Sequence, residues 1–109
     1  MLGFIKKLVT IFAGPEPMEG ARSPKWPNKR DTFIAKYREC TACGDKDELE
    51  VHHCLPHHLR PDLELVDSNL IVLCRTCHYY FGHLKNWKSY NDSVRKDCAA
   101  FRTKIASRP

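Results

Sequence analysis

Two pairs of cysteines in this 109-residue chain have the spacing of ligands to one metal ion. Two residues separate Cys40 from Cys43 and Cys74 from Cys77, and 30 residues lie between the pairs. A two-residue spacer lets both thiolates of a pair reach one tetrahedral ion, and two such pairs complete its coordination. Because no position remains for water, the pattern predicts structural zinc. Four unrelated buried thiols or two redox pairs are the alternative.

All six histidines lie between residues 52 and 83, and the first two are adjacent. Residues 49–52 alternate in polarity like a short strand. Successive strand side chains point to opposite faces, so His52 and His53 should have different functions. One could bind a metal ion while the other addresses a water molecule near it. A zinc site that joins the two cysteine turns would also bring His78 close to His52 and His53. A pair of core or surface histidines without function is the alternative.

Charge is distributed unevenly along the chain, whose formal net charge is +5. Residues 21–38 carry a charge of +5 and residues 70–109 a charge of +6, whereas residues 39–69 carry −6. Two basic segments around a histidine-rich centre indicate a polyanionic partner. A solvated charged surface is the alternative.

Length and composition favour one small α+β domain preceded by an N-terminal segment. Residues 1–27 combine an apolar, helically periodic stretch over about 1–12 with a connector rich in proline and glycine. This stretch is too short to span a bilayer. We expect it to dock on the domain, with a membrane-surface helix as the alternative. Because the stretch does not read as a secretory signal, we expect a reducing, cytoplasmic location and no membrane partner.

The periodicity within residues 28–109 predicts two strands and three helical segments. Asn28 should cap the first helix, with Asp31 in its first turn. The expected segments are a helix over about 29–38, strands over 49–52 and 70–73, a helical stretch over 78–85 that breaks near Gly82, and a helix over about 92–106.

Several side chains outside these motifs should lie in the core of so small a domain. On the first helix we expect Phe33, Ile34 and Tyr37 to face inward. We expect Cys54 and Cys98 to be packed thiols. For Trp26 and Trp87 we favour a position covering the core over stacking against a ligand.

Taken in order, these motifs resemble those of the HNH endonucleases, also called ββα-metal or His-Me finger nucleases. The resemblance covers about residues 38–83 and includes both cysteine pairs, the tandem histidines, Asn69 and His78. Residues 22–27 and 63–65 also look like parts of the small stand-alone HNH proteins of bacteriophages and prophages. The resemblance implies a zinc-stabilised ββα-metal core over about 49–86, flanked by helices.

The resemblance also implies a catalytic role for each matching polar residue. His53 matches the general base that activates the attacking water, and His52 and His78 match ligands of a catalytic metal ion. Asn69 matches the asparagine that fixes the loop and thereby orients the base. One divalent cation, Mg²⁺, Mn²⁺, Ni²⁺ or Zn²⁺, would hold the scissile phosphate.

His83 lies one residue beyond the position at which many HNH enzymes carry a further metal ligand. That position is Gly82 in this chain. His83 can therefore reach the metal only if Gly82 distorts the helix. A phosphate contact is the alternative. His57 and His58 are expected to face DNA or solvent.

As the resemblance implies, the expected function is metal-dependent hydrolysis of DNA phosphodiester bonds, by nicking or double-strand cutting. A zinc-scaffolded DNA-binding module without catalysis is the alternative. Phage packaging proteins are candidate partners, and we expect weak sequence specificity. The residues expected to contact DNA phosphates are Arg22, Lys25, Lys29, Arg30, Lys85 and Lys88, with Arg95 and Lys96 as further candidates.

Overall fold

The computed structural model describes residues 22–108, so the amphipathic segment predicted over residues 1–12 lies outside the described residues. The elements are α1 (Trp26–Tyr37), β1 (Leu49–His53), β2 (Leu70–Cys74), α2 (Arg75–Cys77) and α3 (Val94–Ala106). A π-helical turn over His78–Gly82 continues α2 without a break. Two short 3₁₀ turns, Pro61–Leu63 and Asp67–Asn69, lie in the loop between the strands. The predicted α+β class and both predicted strands are confirmed.

The two strands form an antiparallel pair that separates two small cores. His52 pairs with Ile71 and His53 with Leu70 in the register of the sheet. Strand β2 is buried along its whole length because its side chains alternate between the cores. Ile71 and Leu73 pack with α3 and the cysteines, whereas Leu70 and Val72 pack with α1.

Helix α1 starts before Asn28, so the prediction that Asn28 caps this helix is wrong. It begins at Trp26 without a side-chain cap, because Pro27 in the first turn already has the backbone angle a helix needs. Asp31 consequently lies beyond the first turn. Trp26 and Phe33 are buried, but Tyr37 is 49% exposed, so the prediction that Tyr37 faces inward is wrong.

Helix α3 covers the cysteine side of the sheet, close to its predicted bounds. Cys98 is fully buried there, and half-buried Cys54 packs against the same core, so the prediction of packed thiols is confirmed. Arg95 donates hydrogen bonds to the carbonyls of Ser68 and Leu70, so its guanidinium ties α3 to the start of β2. Within residues 22–108, no helix is both long and apolar enough to cross a membrane.

Candidate active site

The four paired cysteines converge as their spacing predicts. Their sulfur atoms lie within 4.8 Å of one another, and none of them is in a disulfide. The Sγ atoms of Cys43 and Cys74 are 3.8 Å apart. Zinc–sulfur bonds of about 2.3 Å would separate tetrahedral sulfurs by roughly this distance. The backbone N–H groups of Cys43 and Cys77 donate to Cys40 Sγ and Cys74 Sγ, so each turn directs its first sulfur towards the centre of the cluster. The cluster could therefore hold structural zinc.

The cysteine cluster joins three parts of the fold. Cys40 and Cys43 follow α1, whereas Cys74 ends β2 and Cys77 ends α2. Arg102 of α3 donates a 3.0 Å hydrogen bond to the Cys40 carbonyl and pairs with the neighbouring Glu39. A metal ion at this site would thus fix the direction in which the chain leaves α2.

Three histidines form a second cluster of possible metal ligands. His52 lies on β1, His78 opens the π turn, and His83 follows it. Their ligand atoms lie within 4.8 Å of one another. His78 Nδ1 donates to a carboxylate oxygen of Glu50 at 2.8 Å, and His83 Nδ1 donates to the Ser89 carbonyl at 2.7 Å. Because each Nδ1 donates a hydrogen bond, Nε2 is the atom with which each ring can bind a metal ion.

The donor set of this cluster fits a metal ion. The Nε2 atoms of His78 and His83 are only 3.1 Å apart, a distance at which two lone pairs repel unless a metal ion or a proton lies between them. His52 Nε2 is buried and has no hydrogen-bond partner among the described residues. Burial and the neighbouring His78 and His83 lower the pKa of His52 to about 3, so it is neutral at pH 7 and able to coordinate. Contacts such as those of Glu50 and Ser89 orient metal-binding imidazoles.

A π-helical turn brings His83 into this cluster. In a regular α-helix, the residue one turn after His78 is Gly82, but the π turn accommodates one more residue and returns the chain to His78 at position 83. A Cβ atom on Gly82 would lie 2.9 Å from Cε1 and Nδ1 of His52. Glycine is therefore needed for the close approach of the π turn to β1. The distortion that a ligand role for His83 requires is present.

His53 lies on the other face of β1, against α1. Its ring packs on the Trp26 ring with centroids 4.5 Å apart. Its Nε2 is 3.0 Å from the Glu64 carbonyl, which can only accept, so Nε2 carries the proton and Nδ1 the lone pair. Burial and the nearby Arg22 lower the pKa of His53 to about 4. His53 is therefore a neutral acceptor at pH 7.

Asn69 holds the loop that carries this carbonyl. The Asn69 side chain is buried, and its Oδ1 accepts a 2.8 Å hydrogen bond from the Leu55 N–H. Its Nδ2 donates to the carbonyls of Leu55 and Leu63, at 3.1 Å and 3.3 Å. Since Leu63 precedes Glu64, the amide clamps the loop beside the contact to His53.

The sequence gives no indication of a role for Glu64, although its side chain contacts both His57 and the segment before α1. The buried carboxylate accepts from the Ser23 N–H at 3.1 Å and 3.2 Å and lies 3.3 Å from His57 Nε2. The His57 side chain is only 10% exposed, so this residue does not face bulk solvent, and contact with DNA, the other expected role, stays a prediction. No local pattern marks Glu64, which lies in a loop. Glu50 could have been found, because it lies two positions before His52 on the same strand face.

The cluster of His52, His78 and His83 and the separate His53 line one cleft of about 510 Å³. Arg22, His58 and Lys88 also line it, as does Trp87. Trp87 is 46% exposed, so the expectation that it covers the core is wrong, whereas it holds for Trp26.

The other residues expected at phosphates lie outside the cleft. Lys25 and Lys85 are exposed. Lys29 forms an ion pair with Asp67, and Arg30 forms one with its neighbour in the chain. Of the six predicted contacts, Arg22 and Lys88 are therefore the two that line the cleft.

Comparison with known proteins shows a similarity over the part of the chain that carries this site. The family model of the HNH endonucleases matches residues 40–80, a range that contains all four clustered cysteines, the tandem histidines, Asn69 and His78. His83 and the cleft residues of the N-terminal segment lie outside the matched range. No curated protein and no solved structure shows significant similarity to the chain. Residues 40–80 are thus similar to the HNH endonuclease family over the part of the chain that carries both cysteine pairs and most of the histidine site.

Proposed function

We propose that this protein is a metal-dependent endonuclease that hydrolyses DNA phosphodiester bonds in the cleft. One observation carries the proposal. The imidazole of His53, with its acceptor nitrogen defined by the Glu64 carbonyl, lines the same cleft as the cluster of His52, His78 and His83. A base and a metal-binding group on opposite faces of one strand are the two components that hydrolysis of a phosphodiester needs.

In this mechanism His53 acts as the general base. Neutral at pH 7, it can take a proton from water at Nδ1 as the oxygen attacks phosphorus. The Glu64 carbonyl keeps the proton on Nε2 and stabilises the positive charge that develops on the ring. Asn69 acts on the base indirectly, by holding the loop from which this carbonyl projects.

The histidine cluster would supply the charge stabilisation. A divalent cation on His52, His78 and His83 would neutralise charge on the scissile phosphate and on the departing 3′ oxygen. Glu50 and Ser89 hold two of these rings in the tautomer that binds metal. Because all three donors are imidazoles, we expect Mn²⁺, Ni²⁺ or Zn²⁺ to bind more tightly than Mg²⁺. The four cysteines would carry structural Zn²⁺.

The cleft provides two cations for the DNA backbone. Arg22 lies with its guanidinium carbon 5.4 Å from the centroid of the Trp26 ring, beside the base, and Lys88 lines the cleft. Contacts of this kind position phosphates without reading bases, so we expect weak sequence specificity.

The test is conversion of supercoiled plasmid to open-circular and linear forms. Wild type, His53→Ala and His58→Ala are compared with added Mg²⁺, Mn²⁺ or Ni²⁺ and with EDTA. His58 is a matched control, because it is an exposed histidine of the same cleft that is neither the proposed base nor a member of the histidine cluster. We expect metal-dependent cutting by wild type and His58→Ala, and loss of most of the rate in His53→Ala.

Two other outcomes have definite meanings. Equal cutting by wild type and His53→Ala would exclude His53 as the base. Retarded but uncut plasmid, with every metal, would favour the non-catalytic DNA-binding module.

A further inference from the structure

Three aromatic rings form an exposed surface beside the histidine cluster. Tyr79 and Tyr80 come from the π turn and Trp87 from the loop after it, and we call these three residues the aromatic strip. The ring centroids of Tyr79 and Trp87 are 5.1 Å apart, and those of Tyr79 and Tyr80 are 5.8 Å apart. Trp87 is 46% exposed and Tyr80 52% exposed. Half-exposed rings in so small a domain add little to its core and offer faces to a ligand.

The aromatic strip begins at the candidate metal ligands. The Trp87 ring lies 5.2 Å from the His78 ring and 5.0 Å from the His83 ring, measured between centroids. From there the strip leads through Tyr79 to Tyr80. A nucleic acid with its phosphate at the histidine cluster would therefore have its neighbouring nucleotides over these rings.

Cations accompany the rings of the strip. The guanidinium carbon of Arg75 lies 5.4 Å from the Trp87 ring centroid, and Lys85 Nζ lies 5.8 Å from the Tyr80 ring centroid. Glu50 holds Arg75 by a 2.8 Å ion pair. Rings with cations beside them suit a ligand with flat bases and a negative backbone, whereas an apolar protein surface would leave these charges desolvated.

The loop that presents Trp87 is held in a strained conformation. Leu84 and Lys85 have φ values of 54° and 65°, in the left-handed region that side chains other than glycine rarely adopt. Two hydrogen bonds between Tyr79 and Lys85 fasten this conformation, one from the Lys85 N–H at 2.9 Å and one from the tyrosine hydroxyl at 2.8 Å. Strain of this kind persists only where the surrounding structure enforces it, and it is concentrated at functional sites.

We propose that the aromatic strip stacks unpaired bases, so that the preferred substrate is DNA with single-stranded nucleotides next to the cleaved phosphate. The inference rests on the proposed function for the position of the phosphate. Bases in an intact duplex are stacked on one another and cannot present their faces to a protein ring. Cations alone would serve to hold duplex phosphates, whereas stacking on aromatic side chains is the means by which proteins hold single strands.

The experiment measures binding by fluorescence anisotropy, with zinc-loaded protein and no added divalent cation. Three labelled DNAs of one sequence are compared: a single strand, a blunt duplex and a duplex with a single-stranded tail. The proteins are wild type, Trp87→Ala, Trp87→Phe, Tyr80→Ala and Tyr37→Ala. Tyr37 is the matched control, since it is 49% exposed and has Lys36 Nζ 5.3 Å from its ring, but lies on α1 outside the strip.

We expect wild type to bind the single strand and the tailed duplex at least fivefold more tightly than the blunt duplex. Tyr80→Ala and Trp87→Ala should each weaken binding to unpaired DNA about fivefold or more, the usual effect of removing one stacking ring. Trp87→Phe should restore much of the loss and Tyr37→Ala should change nothing. Tyr80→Ala is the more stringent variant, because Tyr80 has no ring contact with the histidine cluster.

Equal affinity for all three DNAs, or an effect of Tyr37→Ala as large as that of Tyr80→Ala, would overturn the inference and favour a protein partner for the strip. Plasmid cutting separates this result from failure of the proposed function. Cutting without a preference for unpaired DNA would refute only the stacking inference. Preference without cutting under any metal would support stacking and refute the nuclease.

Discussion

Substitution of Gly82 by alanine tests whether the close approach of the π turn to β1 builds the histidine cluster. The added Cβ would lie 2.9 Å from two atoms of the His52 ring and 3.1 Å from His78 Cδ2. Atoms of these types do not approach so closely, so a ring or the turn must move. His52 is 2% exposed and its backbone is fixed in the strand pair, so relief of the contact must displace the His52 ring towards the cleft or move the π turn away from β1.

The expected magnitude follows from two opposing effects. One methyl group added to a well-packed site costs about 1–3 kcal/mol of the free energy of unfolding. Alanine restricts the unfolded chain more than glycine does, which returns about 0.4–1 kcal/mol. The two ranges together give a loss between about zero and 2.6 kcal/mol, and from their midpoints we expect Gly82→Ala to lower the free energy of unfolding by about 1.3 kcal/mol. Since metal–nitrogen distances tolerate only about 0.2 Å of change, the affinity of the cluster for Mn²⁺ should fall at least tenfold.

The assay combines urea unfolding with calorimetric titration of Mn²⁺, on protein that retains zinc. Gly44→Ala serves as control, because Gly44 has a φ of 82° but its Cβ would meet only the flexible end of Arg102, at 3.1 Å. This control should lose stability through backbone strain while binding Mn²⁺ normally. If Gly82→Ala matched wild type in both stability and Mn²⁺ affinity, the packing of Gly82 against His52 could not be what positions the cluster.

Three further perturbations address the zinc cluster, the loop and the N-terminal segment. Cys43→Ser, or removal of zinc by a chelator, should abolish cooperative thermal unfolding seen by circular dichroism, because structural zinc contributes folding energy directly, whereas Cys54→Ser should keep its zinc. A zinc-free Cys43→Ser protein with an unchanged melting curve would contradict the assignment. Asn69→Ala removes three hydrogen bonds of a buried amide, so it should cost about 1–3 kcal/mol of stability and slow plasmid cutting with Mn²⁺ affinity intact. Glu64→Ala leaves the Ser23 N–H without its carboxylate, so trypsin should cleave the segment before α1 faster than in wild type; an equal rate would show that the contact does not hold it.

Features set by local periodicity could be predicted from the sequence. The two-residue spacing within each cysteine pair brings its sulfurs together whatever the rest of the fold does. The period of two in a strand likewise separates His52 from His53 and sends each to its own side of the sheet. These predictions required no knowledge of distant contacts.

Features that depend on contacts between remote parts of the chain could not be predicted in this way. The membership of His83 in the cluster depends on a π turn that packs against His52, which is 30 residues from Gly82 in sequence. The function of Glu64 depends on a loop that returns to Ser23, 41 residues away. The exposure of Trp87 depends on a left-handed bend at Leu84, for which a leucine gives no sign.

The position of the histidine cluster depends on the cysteine cluster, whereas the cysteine cluster does not depend on the histidines. His78 directly follows Cys77, so the position at which it enters the cleft is set by the turn that the cysteines hold. His52 is placed by pairing with Ile71, on a strand that ends at Cys74. All four cysteines, in contrast, precede the π turn in sequence, and the contact of that turn with their core is made by Phe81 and not by a histidine. Loss of zinc should therefore dismantle the histidine cluster, whereas replacing a histidine should leave the zinc site and the fold standing. Substitutions at the histidines can therefore change metal binding in the cleft at little cost to the free energy of folding, to which the zinc site contributes.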